Sequence, residues 1–210
     1  MLMGLLTIAA GIWLVLQLPA FSAPGLGAQV SAQLASSGVQ SPVTAVLLNF
    51  RALDTLYEVA VLALAANATL SLKSATALPE AAESAAMLDW LVPRLLPVVL
   101  LFAGYLWWAG SSRPGGAFQA GTTVAGLLLL LVLNQRQLSL PLDSRIARAV
   151  AMAGPLWFLV VGSATALAGR AFLDYPDAWT KALILSVEAF LTAAIGVTLA
   201  LLATGGRQES

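Results

Sequence analysis

The chain has 210 residues, 60% of them hydrophobic and 10% charged, with a mean hydropathy of +0.89. Soluble domains carry about 25% charged residues, so this composition cannot cover a water-facing surface and reads as an integral membrane protein. Ten basic residues balance ten acidic ones, and Cys and His are both absent, which excludes a basic nucleic-acid footprint, disulfides, thiolate or imidazole metal sites and His-based catalysis.

A hydrocarbon core of about 30 Å needs roughly 20 apolar residues of helix. Six stretches qualify in chain order: about 2–20, 46–71, 93–110, 117–134, 148–169 and 181–204. The expected fold is therefore an all-α integral membrane protein with about six transmembrane helices and a short interfacial connector helix. The first stretch begins "MLMGLL" without Lys or Arg, and a small-x-small cleavage site is missing near "AFSAPG". It is expected to be a membrane anchor rather than a signal peptide. Pro19, Pro24, Gly25 and Gly27 end it, and an uncharged Gly/Ser/Gln-rich loop leads to Ser41-Pro42, a start signal for the second helix.

The second helix opens with the charges of "NFRALDTLYEV". Arg51, Asp54 and Glu58 are spaced i, i+3, i+7 and share one narrow stripe. Arg51 can neutralise Asp54. Glu58 lies deepest, ahead of "VAVLALAA", and is expected to face protein or water, because a charge near the bilayer centre costs about 2.5–3.5 kcal/mol on insertion scales. Two roles compete: a clamp to a neighbouring helix or subunit, and a protonatable or cation-binding site on an ion path.

Polar residues break the hydrophobicity over "LKSATALPEAAESAAMLDW". Pro79, Glu80 and Glu83 suit the start of a connector helix, with Trp90 at the headgroup level. The module boundary is placed here, giving a two-span unit at 1–75, a connector at 76–92 and a four-span unit at 93–210. In the four-span unit Pro114-Gly115-Gly116 forms a tight turn. Ala117, Gly121 and Ala125 then repeat every four residues, a small-residue ridge that lets another helix come close. In the last span Glu188 is a second intramembrane acid, with Lys181 two turns earlier on nearly the same face as its internal candidate partner. Basic residues cluster in "RQLSLPLDSRIAR" and place both termini in the cytoplasm of a multi-pass cell (inner or plasma) membrane protein.

The segment "RLLP…GYLWWAG…RPGGAFQAG" resembles the B subunit of Mrp-type multisubunit cation/proton antiporters, on Arg94, Pro97, Gly104, Tyr105, Pro114, Gly115, Gly116, Phe118 and Gly121. That family usually has Gly-His before the turn where this chain has Gly110-Ser111, and a third turn glycine where it has Ala117. No role resting on that His transfers. "VTAVLLNFRALDTLYEVAVLALAA" is similar to the C-terminal segment of the Mrp A subunit, which in membrane-bound hydrogenases is a separate small E subunit. Arg51, Asp54, Thr55, Glu58, Val61 and Leu62 match, while Asn49 replaces an Asp and Tyr57 a Gly.

Together the resemblances imply a fusion of an E-like with a B-like unit, acting as an accessory subunit of a Na+/proton antiporter or a related hydrogenase-like, complex I-like module. They imply A-, C- and D-like membrane partners and the lipid bilayer, no nucleic acid, no cofactor, and H+ or Na+ as the ion carried. Catalytic and metal-binding residues are not expected. The alternative is a purely structural subunit of a redox or photosynthetic membrane complex with no ion path of its own. A stand-alone transporter would call for inverted repeats and discontinuous helices, which the sequence does not display.

Overall fold

The computed structural model describes residues 25–71, 86–133 and 145–204. The expected span at 2–20 and the connector around Pro79 lie outside them. The chain divides into two compact units between Gln33 and Leu34. The described part of the first is helix α1, Leu26–Gln33, which follows Gly25.

The second unit is all-helical among its described residues. A 3-10 turn, Leu34–Ser37, precedes the short helix α2, Pro42–Ala45. Ser41 caps α2 as its sequence predicts: the hydroxyl accepts from the Thr44 N–H at 3.3 Å, and Pro42 occupies the first turn, where a missing N–H costs nothing. The helix then widens into a π turn over Val46–Phe50, with Arg51 N–H reaching back five residues to the Val46 carbonyl at 2.8 Å. Arg51 breaks the helical geometry, and α3 restarts at Ala52 and runs to Ser71. The sequence read 46–71 as one uninterrupted helix; no residue type marks a π turn, so the interruption was not foreseeable.

Among the described residues four more helices follow: α4 (Ala86–Ala109), α5 (Ala117–Leu133), α6 (Arg145–Leu167) and α7 (Thr180–Thr204). Among the described residues four helical segments are long and apolar enough to cross a membrane: Ala52–Ser71, Trp90–Ala109, Arg145–Leu167 and Thr180–Thr204; Ala117–Val132 is apolar but shorter. Helix α4 starts at Ala86 rather than at 93, so Trp90 belongs to the spanning helix itself. The Arg94 guanidinium folds back over the Trp90 ring, 4.1 Å from its centroid, and donates to the Trp90 carbonyl at 2.6 Å. This keeps the charge with an aromatic suited to the headgroup level.

Helix α7 is the hub, packing against α3, α4, α5 and α6. The core is built from Leu48, Ala52, Leu56, Val59, Phe158, Ile184, Val187 and Leu191. Small residues set the spacing. A Cβ on Gly154 would lie 2.7 Å from that of Ala194, and one on Gly196 would lie 2.8 Å from Val124 Cγ1, so α6 and α5 both press on α7 at backbone distance. Trp157 adds a hydrogen bond to Ser186 Oγ (3.1 Å) and a stacked contact with Phe190. The loop from α6 to α7 folds onto the helix ends: Thr165 Oγ1 accepts from Leu173 N–H at 2.9 Å, and burial of Tyr175 pushes its phenol above the ordinary range.

Candidate functional site

The start of α3 presents its charges away from the core. The residues whose side chains build the core from this helix are Ala52, Leu56 and Val59, whereas Arg51, Asp54, Tyr57, Glu58 and Val61 are exposed. These five, with Leu62 and Phe118 of α5, line an open groove of about 680 Å³. Arg51 pairs with Asp54 one turn on, and both side chains stay half exposed. No ion pair to Glu58 forms among the described residues.

The second acid sits behind that groove. Helix α4 ends at Ala109, and α5 begins at Ala117 after the Gly110–Gly116 turn. Gly116 N–H closes the turn onto the Leu106 carbonyl at 2.9 Å, with φ of +113°, a conformation side chains disfavour. Two neighbours pin the turn from the α2 side: Gln40 and Ser41 N–H donate to the Ser111 carbonyl (3.0 and 3.1 Å), and the Thr44 hydroxyl donates to the Gly110 carbonyl. Glu188 of α7, 2% exposed, enters this turn. Its Oε1 lies 3.1 Å from where a Cβ on Gly110 or on Gly116 would stand; the close Gly116 backbone, 2.6 Å from a Gly110 Cβ, and the positive φ of Gly116 are what hold the two positions to glycine. The Ala117 N–H donates to the carboxyl group. Glu188 thus occupies the positive end of α5, where free N–H groups and the helix dipole favour an anion. Among the described residues its Oε2 has no hydrogen-bond partner, and neither has Thr55 Oγ1 of α3, which is 1% exposed.

The sequence-predicted residues therefore separate into two places. Arg51, Asp54 and Glu58 share a stripe, but the stripe faces outward, and Glu58 is exposed rather than turned toward this chain's own helices. Lys181 does not partner Glu188: its ammonium is exposed and lies 6.0 Å from the Trp108 ring centroid, while Glu188 is two turns deeper and bonded to Ala117. Pro114, Gly115 and Gly116 form the turn, Phe118 walls the groove, and Gly121 meets Ile195 of α7, whose Cβ and Cγ2 lie 2.8 Å from an added Cβ. Three participants were missed as site residues: Thr44, Thr55 and Gly110. Thr55 stands beside Asp54 in the sequence but, about 100° further round α3, is buried where Asp54 is exposed. An isolated hydroxyl in an apolar run carries no signal of that.

The departures from the resembled families are accommodated locally. Asn49 Nδ2 donates to the Ser37 carbonyl at 3.0 Å, a bond an ionised Asp could not make. Ser111, where the family usually has His, is buried, and its carbonyl serves the α2 loop. Tyr57 projects into the groove, where its bulk meets no described helix closely.

Comparison with known proteins agrees with this architecture. No curated protein matches the chain. Its fold is similar to that of a chain in the membrane-bound sulfane sulfur reductase, an archaeal respiratory membrane complex, at 23% identity over 97% of this chain and 96% of that one, with a TM-score of 0.79. It is also similar to part of a chain of the Mrp complex from Dietzia sp. DQ12-45-1b, at 21% identity over 91% of this chain but 24% of that one, with a TM-score of 0.62. The family model for domains related to the MnhB subunit of Na+/H+ antiporters matches residues 87–205, more than half of the sequence and all of the helices that enclose Glu188 and the glycine turn from the α4 side onward. The chain belongs to the family of domains related to the MnhB subunit of Na+/H+ antiporters.

Proposed function

We propose that the chain is an accessory, non-catalytic subunit of an Mrp-type Na+/H+ antiporter or a related respiratory ion-translocating complex, and that its α3 groove completes an ion path at a contact with another subunit. The family supports the subunit assignment, and the groove supports the contact. Arg51, Asp54 and Glu58 lie on the outer face of a membrane-capable helix, and an unpaired carboxylate cannot be left against lipid at small cost. A partner subunit, or water held by one, must cover it.

The same reading takes residues 1–75 as an E-like unit fused to a B-like unit at 93–210, with 76–92 between them. Its support is that the similarity to the Dietzia chain runs across nearly all of this chain within a quarter of that longer one. We place the protein in the cell membrane with both termini in the cytoplasm, beside A-, C- and D-like subunits, carrying H+ or Na+ and needing no cofactor.

The purely structural alternative also has an observation on its side, because the Arg51–Asp54 pair satisfies both charges without transport. Glu58→Gln in the assembled complex separates the two. The ion-path reading expects normal assembly with Na+/H+ exchange reduced by at least about tenfold, the equivalent of about 1.4 kcal/mol in the barrier. Loss of assembly would show a clamp, and normal assembly with unchanged exchange would remove Glu58 from the path.

A further inference from the structure

Behind the groove lies a second, more enclosed cavity of about 20 Å³, bounded by Thr44, Thr55, Gly116, Phe118 and Glu188 among others. A cavity needs roughly 10–15 Å³ to hold one water, and the water needs two to four polar partners. This one has them. Among the described residues three buried side-chain atoms lack a hydrogen bond, Glu188 Oε2, Thr55 Oγ1 and Tyr175 Oη, and the first two belong to residues that line this cavity. Leaving a buried polar group unsatisfied costs about 1–3 kcal/mol, so two such atoms around a water-sized space favour a water between them. Thr44 spends its proton on the Gly110 carbonyl and keeps a lone pair to offer.

We propose that this cavity binds a single water between Glu188 and Thr55, and that the water carries protons between Glu188 and the outer groove past the ring of Phe118. Phe118 lines both spaces and is the wall they share. In the transfer, the O–H bond of protonated Glu188 breaks as the cavity water takes the proton; the resulting hydronium then gives one up to the Glu58 carboxylate when the ring turns aside. Water is regenerated, and the negative charge moves from Glu58 to Glu188. There it is received by the Ala117 N–H and the positive end of α5.

The charged groups on the surrounding elements are few. Helix α3 and the residue before it bring Arg51, Asp54 and Glu58; the Gly110–Gly116 turn brings Arg113, which is exposed; α4 brings Asp89 and Arg94 and α6 brings Arg145 and Arg148, all in the first halves of their helices; α7 brings Lys181, beside Trp108; α2 and α5 bring none. No side-chain cation neutralises Glu188 among the described residues. The space of about 20 Å³ is that of one water, and Gln119 is a further polar residue on its lining.

The proposal deepens the ion-path reading and relies on it only for the destination of the proton. Its test therefore uses the full chain in lipid nanodiscs, without partner subunits. Infrared difference spectroscopy follows the protonated carboxyl band of Glu188, identified by its disappearance in Glu188→Gln, as the sample is moved into D2O. Deuteration should slow at least about tenfold in Thr55→Val, which keeps the shape and removes the hydroxyl that holds the water, the equivalent of losing about one hydrogen bond. It should accelerate in Phe118→Ala, which opens the wall. Equal rates in the wild type and Thr55→Val would overturn the water relay. So would a Glu188 that stays ionised throughout as a fixed cap for α5, or a band displaced by Na+, which would mark a cation site. Any of these results leaves the subunit assignment standing, since that rests on assembly and exchange in the complex.

Discussion

Glycine at the turn answers first to its own backbone and only then to an acid far away in the sequence. At Gly116 the backbone has positive φ, and an added Cβ would press on Glu188 Oε1 at 3.1 Å. Gly116→Ala is expected to cost about 1–3 kcal/mol from backbone strain alone, read as a lower thermal midpoint of the full chain in detergent. Gly104 on α4 is the control: nothing lies within 4 Å of its Cβ position, and the change should be neutral or stabilising by up to about 1 kcal/mol. Equal losses at both sites would contradict the account of the turn. The Pro-Gly-Gly signal alone predicted a tight turn. It could not show that the turn wraps a carboxylate, because Glu188 and Gly116 are brought together only by the docking of α7. Spacing likewise gathered Arg51, Asp54 and Glu58 into a stripe but not the direction of that stripe. In a membrane helix, lipid and protein faces are both apolar, so hydrophobic periodicity loses the contrast that orients a helix in water.

At the scale of helices, the small-residue ridge on α5 finds its complement on α7. Gly121 sits against Ile195, with the Thr192 carbonyl 3.1 Å from an added Cβ, while Gly196 sits against Val124 and the Gly121 carbonyl at 3.3 Å. The ridge of Ala117, Gly121 and Ala125 was legible as a close-packing face, and the helix it meets was not, since Gly196 stands alone in its span. Gly121→Ala should destabilise by about 1–3 kcal/mol through overpacking. Adding Ile195→Ala should recover part of that loss, with a coupling of about 0.5–3 kcal/mol in a double-mutant cycle. Additive effects would mean that α5 and α7 do not meet through this pair. Helix existence was well signalled by 20-residue apolar runs, but helix interruption was not. The π turn that ends at Phe50 places Arg51 at a break and resets the face that α3 shows to its surroundings, and no composition rule announces it.

For the whole molecule, the acids divide into one the chain buries and one it leaves outside. Glu188 is enclosed by the Gly110–Gly116 turn, α5, α2 and α3, whereas Glu58 is exposed in a groove that the described helices leave open. A soluble protein would simply hydrate such a groove. In a bilayer the same surface is incompatible with lipid, so its state depends on what the membrane supplies. The absence of native cysteine makes this measurable with a single introduced thiol. Tyr57 is 64% exposed, lines the groove and takes no part in the Arg51–Asp54 ion pair, so Tyr57→Cys reports on access there. In the detergent-isolated chain a water-soluble maleimide should label it readily, because a thiol beside water ionises and reacts. In membranes holding the full complex, labelling should fall at least about tenfold, the signature of an interface that excludes solvent and holds its partner by about 1.4 kcal/mol or more at that position. Leu101→Cys on the apolar outer face of α4, 76% exposed, supplies the contrast: bilayer lipid shields it whether or not partner subunits are present. If Tyr57→Cys labels equally in both preparations, the groove stays open to water in the membrane. Glu58 would then meet solvent directly rather than a neighbouring subunit, and the contact assigned to α3 would have to be sought on another face.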